Sequence, residues 1–196
     1  MKRVCDVVFA SVGLIVLLPV FLLTSCIIKI SEPRGTVFFA QKRIGKNEKP
    51  FTMYKFRTMK MNAENDLQSL LDQNEMDGAM FKIKKDPRVT KFGSFLRKTS
   101  IDELPQLINV LKGEMTLVGP RPPLPREVAT YTSYEKLRLN AIPGCTGLWQ
   151  VSGRNDLSFE EMVDLDLTYI NQSCLLLDFK IMLKTVLILL VSRNGY

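Results

Sequence analysis

The sequence predicts an α/β fold: a small, mainly helical cytosolic domain with a short β-hairpin, a re-entrant N-terminal membrane helix and interfacial amphipathic helices. Three observations lead there. Apolar residues gather near the two ends of the 196-residue chain, at 7–28 and 181–191, and leave the middle polar and basic. Two extended, aromatic-rich runs flank a turn-like stretch at 45–50. Much of the rest recurs at helical spacing and is punctuated by Pro and Gly.

The N-terminal element comes first. Val7 to Ile28 carries no charge and as a straight helix would measure about 33 Å, enough to span a bilayer. The run is long for a signal peptide, and Ser31-Glu32-Pro33-Arg34 is not a small-residue cleavage site. Pro19 interrupts it by removing a backbone donor and crowding the preceding turn. Lys2 and Arg3 precede it, and Lys29, Arg34, Lys42 and Arg43 follow, so both flanks favour the cytoplasm. A helix that enters, bends at Pro19 and returns meets both constraints; a single tilted, kinked span is the alternative. The expected division is an anchor at 1–30, kinked at Pro19, and a cytosolic domain at 31–196. Asp6 reads as a solvated residue near a helix start, with pairing to an interfacial cation as the other option.

Thr36–Ala40 and Phe51–Phe56 form the expected hairpin, with Gly45–Pro50 between them. Leu67, Leu70 and Leu71 mark a helix from Asn62 to about Glu75, closed by Asp77-Gly78. After Asp86-Pro87 a basic amphipathic helix carries Lys91, Arg97 and Lys98 beside Phe92, Phe95 and Leu96. A second short helix runs from about Asp102 to Leu111 and stops at Gly113. Val118–Pro123 and Ile142-Pro143-Gly144 are stiff loops of the kind that carry sites. Ser158-Phe159-Glu160-Glu161 is a capping box opening a helix whose apolar face holds Phe159, Met162, Val163, Tyr169 and Ile170. A terminal helix starts near Asp178. Its apolar run to Val191 is too short to span; with Lys180, Lys184 and Arg193 it lies either in the interface or against the domain.

Composition narrows the chemistry. A net charge of +7 calls for an anionic partner: nucleic acid, lipid headgroups or a phosphorylated substrate. Cys5, Cys26, Cys145 and Cys174 have no CxxC spacing and read as free thiols. The chain has no histidine, which excludes Ser–His and Cys–His mechanisms.

The informative cluster is Leu96-Arg97-Lys98-Thr99-Ser100-Ile101-Asp102-Glu103-Leu104-Pro105. Pro105 fits only the first turn of a helix, which places the N-cap near Ile101 or Asp102. Two readings stand. Locally, Asp102 caps the helix, or Ser100 and Glu103 form a capping box. Chemically, the helix start favours a phosphate, and a carboxylate that stays ionised there can attack phosphorus while Arg97 and Lys98 neutralise charge. Arg121, set between prolines, has a pre-aimed fork suited to phosphate. Arg154 follows a Gly-containing turn, and Lys55 and Arg57 alternate with Tyr54 and Phe56; each alone is an ordinary surface charge.

Taken in order, several motifs resemble one family. They are Lys2-Arg3 with Asp6, the apolar run broken by Pro19, Lys55-Phe56-Arg57-Thr58-Met59, Asp86-Pro87-Arg88 and Leu96 through Leu107. Asn109-Val110-Leu111-Lys112-Gly113, Val118-Gly119-Pro120-Arg121-Pro122 and Pro143 through Arg154 complete the set. This pattern is similar to the bacterial sugar transferases, small monotopic phosphoglycosyl transferases, over nearly the whole chain. Ile101 stands where Leu is common and Glu114 where Asp is.

The resemblance implies transfer of a sugar-1-phosphate from a UDP-sugar to polyprenyl phosphate, taken as undecaprenyl phosphate, with release of UMP. It makes Asp102 the nucleophile and Glu103, with Asp102, the holder of Mg²⁺. Arg97 would sit near the phosphate, and Arg121 and Arg154 on the nucleotide side. The implied setting is the cytoplasmic face of the bacterial inner membrane, at the first membrane step of exopolysaccharide, capsule or O-antigen assembly. No nucleic acid is expected, and a homodimer is left open. Because acceptor and leaving group are both phosphate anions, the missing histidine is no obstacle.

Overall fold

The computed structural model describes residues 1–61, 63, 83, 86–153 and 157–191. The expected helix at 62–75 with its Asp77-Gly78 stop, Arg154 and Arg193 lie outside these residues. The described architecture is mainly helical, with two small two-stranded sheets.

The N-terminal apolar segment is two helices, α1 (Lys2–Val16) and α2 (Leu18–Ser31), bent by 59°. The break falls at Leu17, and Pro19 sits in the first turn of α2. That is two residues before the expected kink, because the proline ring conflicts with the carbonyl one turn earlier rather than with its own position. Both arms meet the domain. Ala10 of α1 joins Met53, Val110 and Met115 in one core cluster, and Phe21 and Ile28 of α2 join Phe56 and Leu96 in another.

The hairpin pairs β1 (Phe38–Ile44) with β2 (Pro50–Phe56), in register from Phe38 opposite Phe56 to Ile44 opposite Pro50. The first strand thus runs four residues beyond Ala40, through the polar Gln41, Lys42 and Arg43 to Ile44, which cross-strand pairing carries without an apolar pattern. Helix α3 (Lys91–Thr99) is capped by Thr90, whose hydroxyl accepts from Gly93 N. It buries Leu96 and exposes Phe95.

The helix expected over 102–111 divides in two. Ile101–Glu103 is a 3-10 turn, and α4 (Gln106–Lys112) follows with Pro105 as its N-cap and Gly113, at φ +83°, as its stop. Ser100 stands between α3 and the turn in the left-handed region and reverses the chain there. Neither cap carries a side-chain hydrogen bond, so the local capping reading of Asp102, Ser100 and Glu103 does not describe this site.

Short elements β3 (Thr116–Val118), α5 (Pro125–Val128), α6 (Ser133–Lys136), β4 (Gly144–Thr146) and α7 (Leu148–Ser152) follow. Strands β3 and β4 pair in parallel. A Cβ on Gly144 would lie 2.1 Å from Gly119 N, so this crossing needs glycine. Helix α8 (Phe159–Gln172) opens on the expected Ser158–Glu161 capping box and buries Met162, Val163 and Tyr169. Helix α9 (Leu175–Val191) starts three residues before Asp178. Its Ile181 packs on Val118, Val151 and Tyr169, while Leu176, Phe179, Leu183, Val186 and Leu187 stay exposed. Among the described residues no single helix is long and apolar enough to cross a membrane; the bent α1–α2 pair passes by length and composition.

Asp6 corrects the solvated reading. It is buried, accepting from Thr116 Oγ1 at 2.7 Å and Leu117 N at 3.1 Å, and so ties α1 to β3. Nearby, Lys2 Nζ donates to Asp178 Oδ2 at 2.7 Å and to Val118 O at 3.0 Å. The Tyr169 hydroxyl lies 2.6 Å from Asp178 Oδ1. A polar knot thus joins the chain start to α8 and α9.

Candidate active site

The acidic pair sits where α3 reverses into α4. The left-handed Ser100 turns the backbone, and the short 3-10 turn then presents Asp102 and Glu103 toward β2. Asp102 is 7% exposed. Burial pushes its carboxyl up to about 6; Lys55 opposes this most strongly, the Glu103 charge adds to it and Arg97 opposes it. The expectation that a helix start keeps this carboxylate readily ionised needs amending. The turn is too short to offer much dipole, and desolvation wins. At neutral pH Asp102 is still mostly ionised.

Glu103 behaves oppositely. Burial pushes it up, but the Lys55 ammonium, with Arg121 and Arg43 beyond it, holds it below the usual carboxylate range. Lys55 Nζ lies 2.5 Å from Glu103 Oε1, with both side chains partly exposed. Strand β2 directs Lys55 at the pair by alternation: Met53 is buried in the core, and Lys55 lies two residues further along.

Arg97 is oriented by Thr58, whose hydroxyl accepts from Nε at 3.0 Å. Thr58 in turn abuts Gly93, where a Cβ would meet Thr58 O at 2.0 Å, so α3 and the end of the hairpin touch backbone to backbone. Arg121 is carried by a proline-rich loop and donates to Glu127 Oε2 at 3.2 Å. Structure therefore brings Lys55, Arg97 and Arg121 around Asp102 and Glu103. Arg57 is directed elsewhere: it donates to Thr36 O at 2.8 Å and to the Thr36 hydroxyl, bracing the start of the hairpin.

Three residues enter that sequence reasoning missed. Arg43, read as a membrane-flanking charge, is buried; it donates to Pro122 O at 2.9 Å and reaches Glu103 electrostatically. Thr58 and Glu127 also act here, and only the placement of Thr58 inside the Lys55–Met59 motif pointed toward either. Cys145 is near enough to feel the Glu103 charge, but burial drives its thiol far up, so it is no nucleophile.

The donor set can be tested against a metal. Among the described residues there is no cluster of three or more Asp, Glu, Cys or His. Two adjacent carboxylates, one of them buried with its ionisation opposed, match a Mg²⁺ that is held by one or two carboxylates and completed by water and substrate phosphate oxygens. The residues fit such an ion.

A family model described as bacterial sugar transferase matches residues 1–192. Galactosyl transferase CpsE of Streptococcus agalactiae is 47% identical over 197 residues, covering 99% of this chain and 43% of that protein. Exopolysaccharide production protein ExoY of Sinorhizobium fredii is 44% identical over 199 residues, covering 100% of this chain and 88% of its own. Undecaprenyl-phosphate galactose phosphotransferase of Salmonella typhimurium is 42% identical over 200 residues, covering 100% of this chain and 42% of its own. The chain thus spans less than half the length of the Streptococcus and Salmonella proteins. With the match running through the bent N-terminal helices, the acidic pair and the arginine-bearing loops alike, the chain belongs to the bacterial sugar transferase family.

Proposed function

We propose that the chain transfers a sugar-1-phosphate from a UDP-sugar to polyprenyl phosphate, with undecaprenyl phosphate as the acceptor, through a covalent intermediate on Asp102. The observation that carries this reading is the buried Asp102 beside Glu103, ringed by Lys55, Arg97 and Arg121. Relatives named for galactose phosphotransfer to undecaprenyl phosphate support the substrate class. An Asp102 carboxylate oxygen attacks the phosphorus that bears the sugar, and the bond to the UMP oxygen breaks. UMP leaves as an anion and needs no acid. A phosphate oxygen of the lipid then attacks the same phosphorus, and the bond to Asp102 breaks to restore the carboxylate.

Burial serves the first step, because a poorly solvated carboxylate is a stronger nucleophile than a hydrated one. Lys55 and the arginines gather around charge that spreads over the phosphoryl oxygens. Asp102 and Glu103 would hold Mg²⁺, which when bound neutralises diphosphate charge. Arg154 keeps its proposed place on the nucleotide side, and Arg57 serves the hairpin more directly than the substrate.

The anchor fits a re-entrant placement at the cytoplasmic face of the inner membrane. Each arm, at about 21–23 Å, is shorter than the ~30 Å hydrocarbon core. Apolar Val8, Phe9, Val12, Ile15, Leu22 and Leu23 are exposed along the two arms. With both termini then cytoplasmic, periplasmic protease should spare an N-terminal tag in spheroplasts; cleavage there would refute re-entry.

The chemistry is tested with solubilised chain, Mg²⁺, a panel of UDP-sugars and undecaprenyl phosphate. UMP release is expected with at least one donor, and a labelled phosphosugar should be trapped on wild-type protein but not on Asp102→Asn. Substantial turnover by Asp102→Asn would show that lipid phosphate attacks the donor directly.

A further inference from the structure

Arg121 is held from behind by a carboxylate that the reaction itself does not use. Glu127 is 1% exposed, and its Oε2 accepts from Leu124 N at 2.8 Å and from Arg121 Nη1 at 3.2 Å. Two other buried arginines have partners of their own: Arg138 pairs with Asp166, and Arg43 donates to Gln41 Oε1 and Pro122 O. A carboxylate this deeply buried requires a cationic partner.

The main chain around Arg121 is fixed as firmly as its side chain. Gly144 N donates to Pro120 O at 2.8 Å, Arg43 Nη1 to Pro122 O at 2.9 Å, and Ile44 N to Pro123 O at 2.9 Å. Prolines on both sides of Arg121 restrict the backbone further. Nη1 of the guanidinium donates to Glu127, and its charge reaches Glu103. With its backbone pinned and Nη1 donating to Glu127, the planar fork is restricted in the directions its other N–H groups can take.

We propose that Glu127 is a positioning residue for donor binding: it fixes the Arg121 guanidinium in the orientation that meets the diphosphate of the UDP-sugar. This rests on the reading of Arg121 as a ligand of the donor. Glu127 also caps α5 through Leu124 N, but a cap needs only an acceptor oxygen, whereas Arg121 needs the charge. Glu127→Gln separates the two, since the amide oxygen can still accept from Leu124 N.

The test uses the full chain in nanodiscs, with UDP as the binding probe in calorimetry and UMP release for donor KM and kcat. Glu127→Gln is expected to weaken UDP binding about 5–10-fold and to raise donor KM in step, with kcat within about twofold. Arg121→Ala should weaken UDP at least as much, and adding Glu127→Gln to it should change nothing further. Arg121→Lys, a milder change on the exposed side of the pair, should also lose affinity, because one ammonium cannot serve Glu127 and the diphosphate together.

Wild-type UDP affinity in Glu127→Gln, with Arg121→Ala weakened, overturns the proposal and leaves Arg121 as a donor ligand. Wild-type affinity in Arg121→Ala overturns that underlying reading as well. Additive losses in the double variant, or wild-type affinity in Arg121→Lys, also overturn the positioning role.

Discussion

Replacing Asp102 with asparagine is expected to stabilise the chain while stopping turnover. The carboxyl is 7% exposed and is pushed from 3.8 to about 6, chiefly by burial. A shift of about two units corresponds to about 3 kcal/mol of strain in the ionised form at pH 7.5. The sign follows from a folded-state pKa that is raised. Stability from this group is complete below pH 3.8 and is lost as pH rises through about 6. The neutral asparagine escapes that loss, so its advantage should be full at pH 7.5 and about half as large at pH 5. Thermal unfolding in detergent, with EDTA present to remove divalent cations, can follow the fluorescence of the sole tryptophan, Trp149. For a chain of this size, about 3 kcal/mol corresponds to roughly 6–12 °C in Tm. Asp102→Asn melting at or below wild type at pH 7.5 would refute the reasoning. So would a gain equally large at pH 5.

Three further outcomes follow from the same geometry. Turnover should fall roughly tenfold per pH unit below about pH 6, as the Asp102 carboxylate protonates; a flat acid limb down to pH 4.5 would contradict its role as nucleophile. Gly93→Ala would drive a Cβ to 2.0 Å from Thr58 O, part α3 from the hairpin and disturb the Thr58 hydroxyl that orients Arg97. A loss of about 2–4 kcal/mol is expected, with reduced UMP release, and unchanged melting would count against that contact. Asp178→Ala removes the acceptor shared by Lys2 and Tyr169 and should cost about 2–3 kcal/mol in thermal unfolding, with limited proteolysis detecting a loosened N-terminus.

Much of the fold around the site was legible because its signals are local. Pro105 and Gly113 bracket α4, the Ser158–Glu161 box opens α8, and Pro19 breaks the anchor within two residues of itself. The strands β3 and β4 were not legible. At three residues each, inside Pro- and Gly-rich loops, they are too short to show alternation, and their pairing depends on a glycine crossing. Asp6 and Arg43 were misjudged for a related reason. A charge near an apolar run usually faces water, and only long-range partners, Thr116 for one and Pro122 for the other, made burial affordable here.

The sequence by itself determined the broken N-terminal helix, the capping box that opens α8, the glycine that stops α4 and the absence of an imidazole base. Those properties follow from residue chemistry and from interactions within a turn or two. Tertiary structure alone decided that Lys55, 48 residues from Glu103, pairs with it, that Arg121 pairs with Glu127 while its charge reaches Glu103, and that Arg57 turns away to Thr36. It also decided that burial raises the pKa of Asp102 while leaving it mostly ionised at neutral pH. Desolvation and Coulomb energy depend on distance through space, and distance in space is set by how the chain packs rather than by the order of its residues.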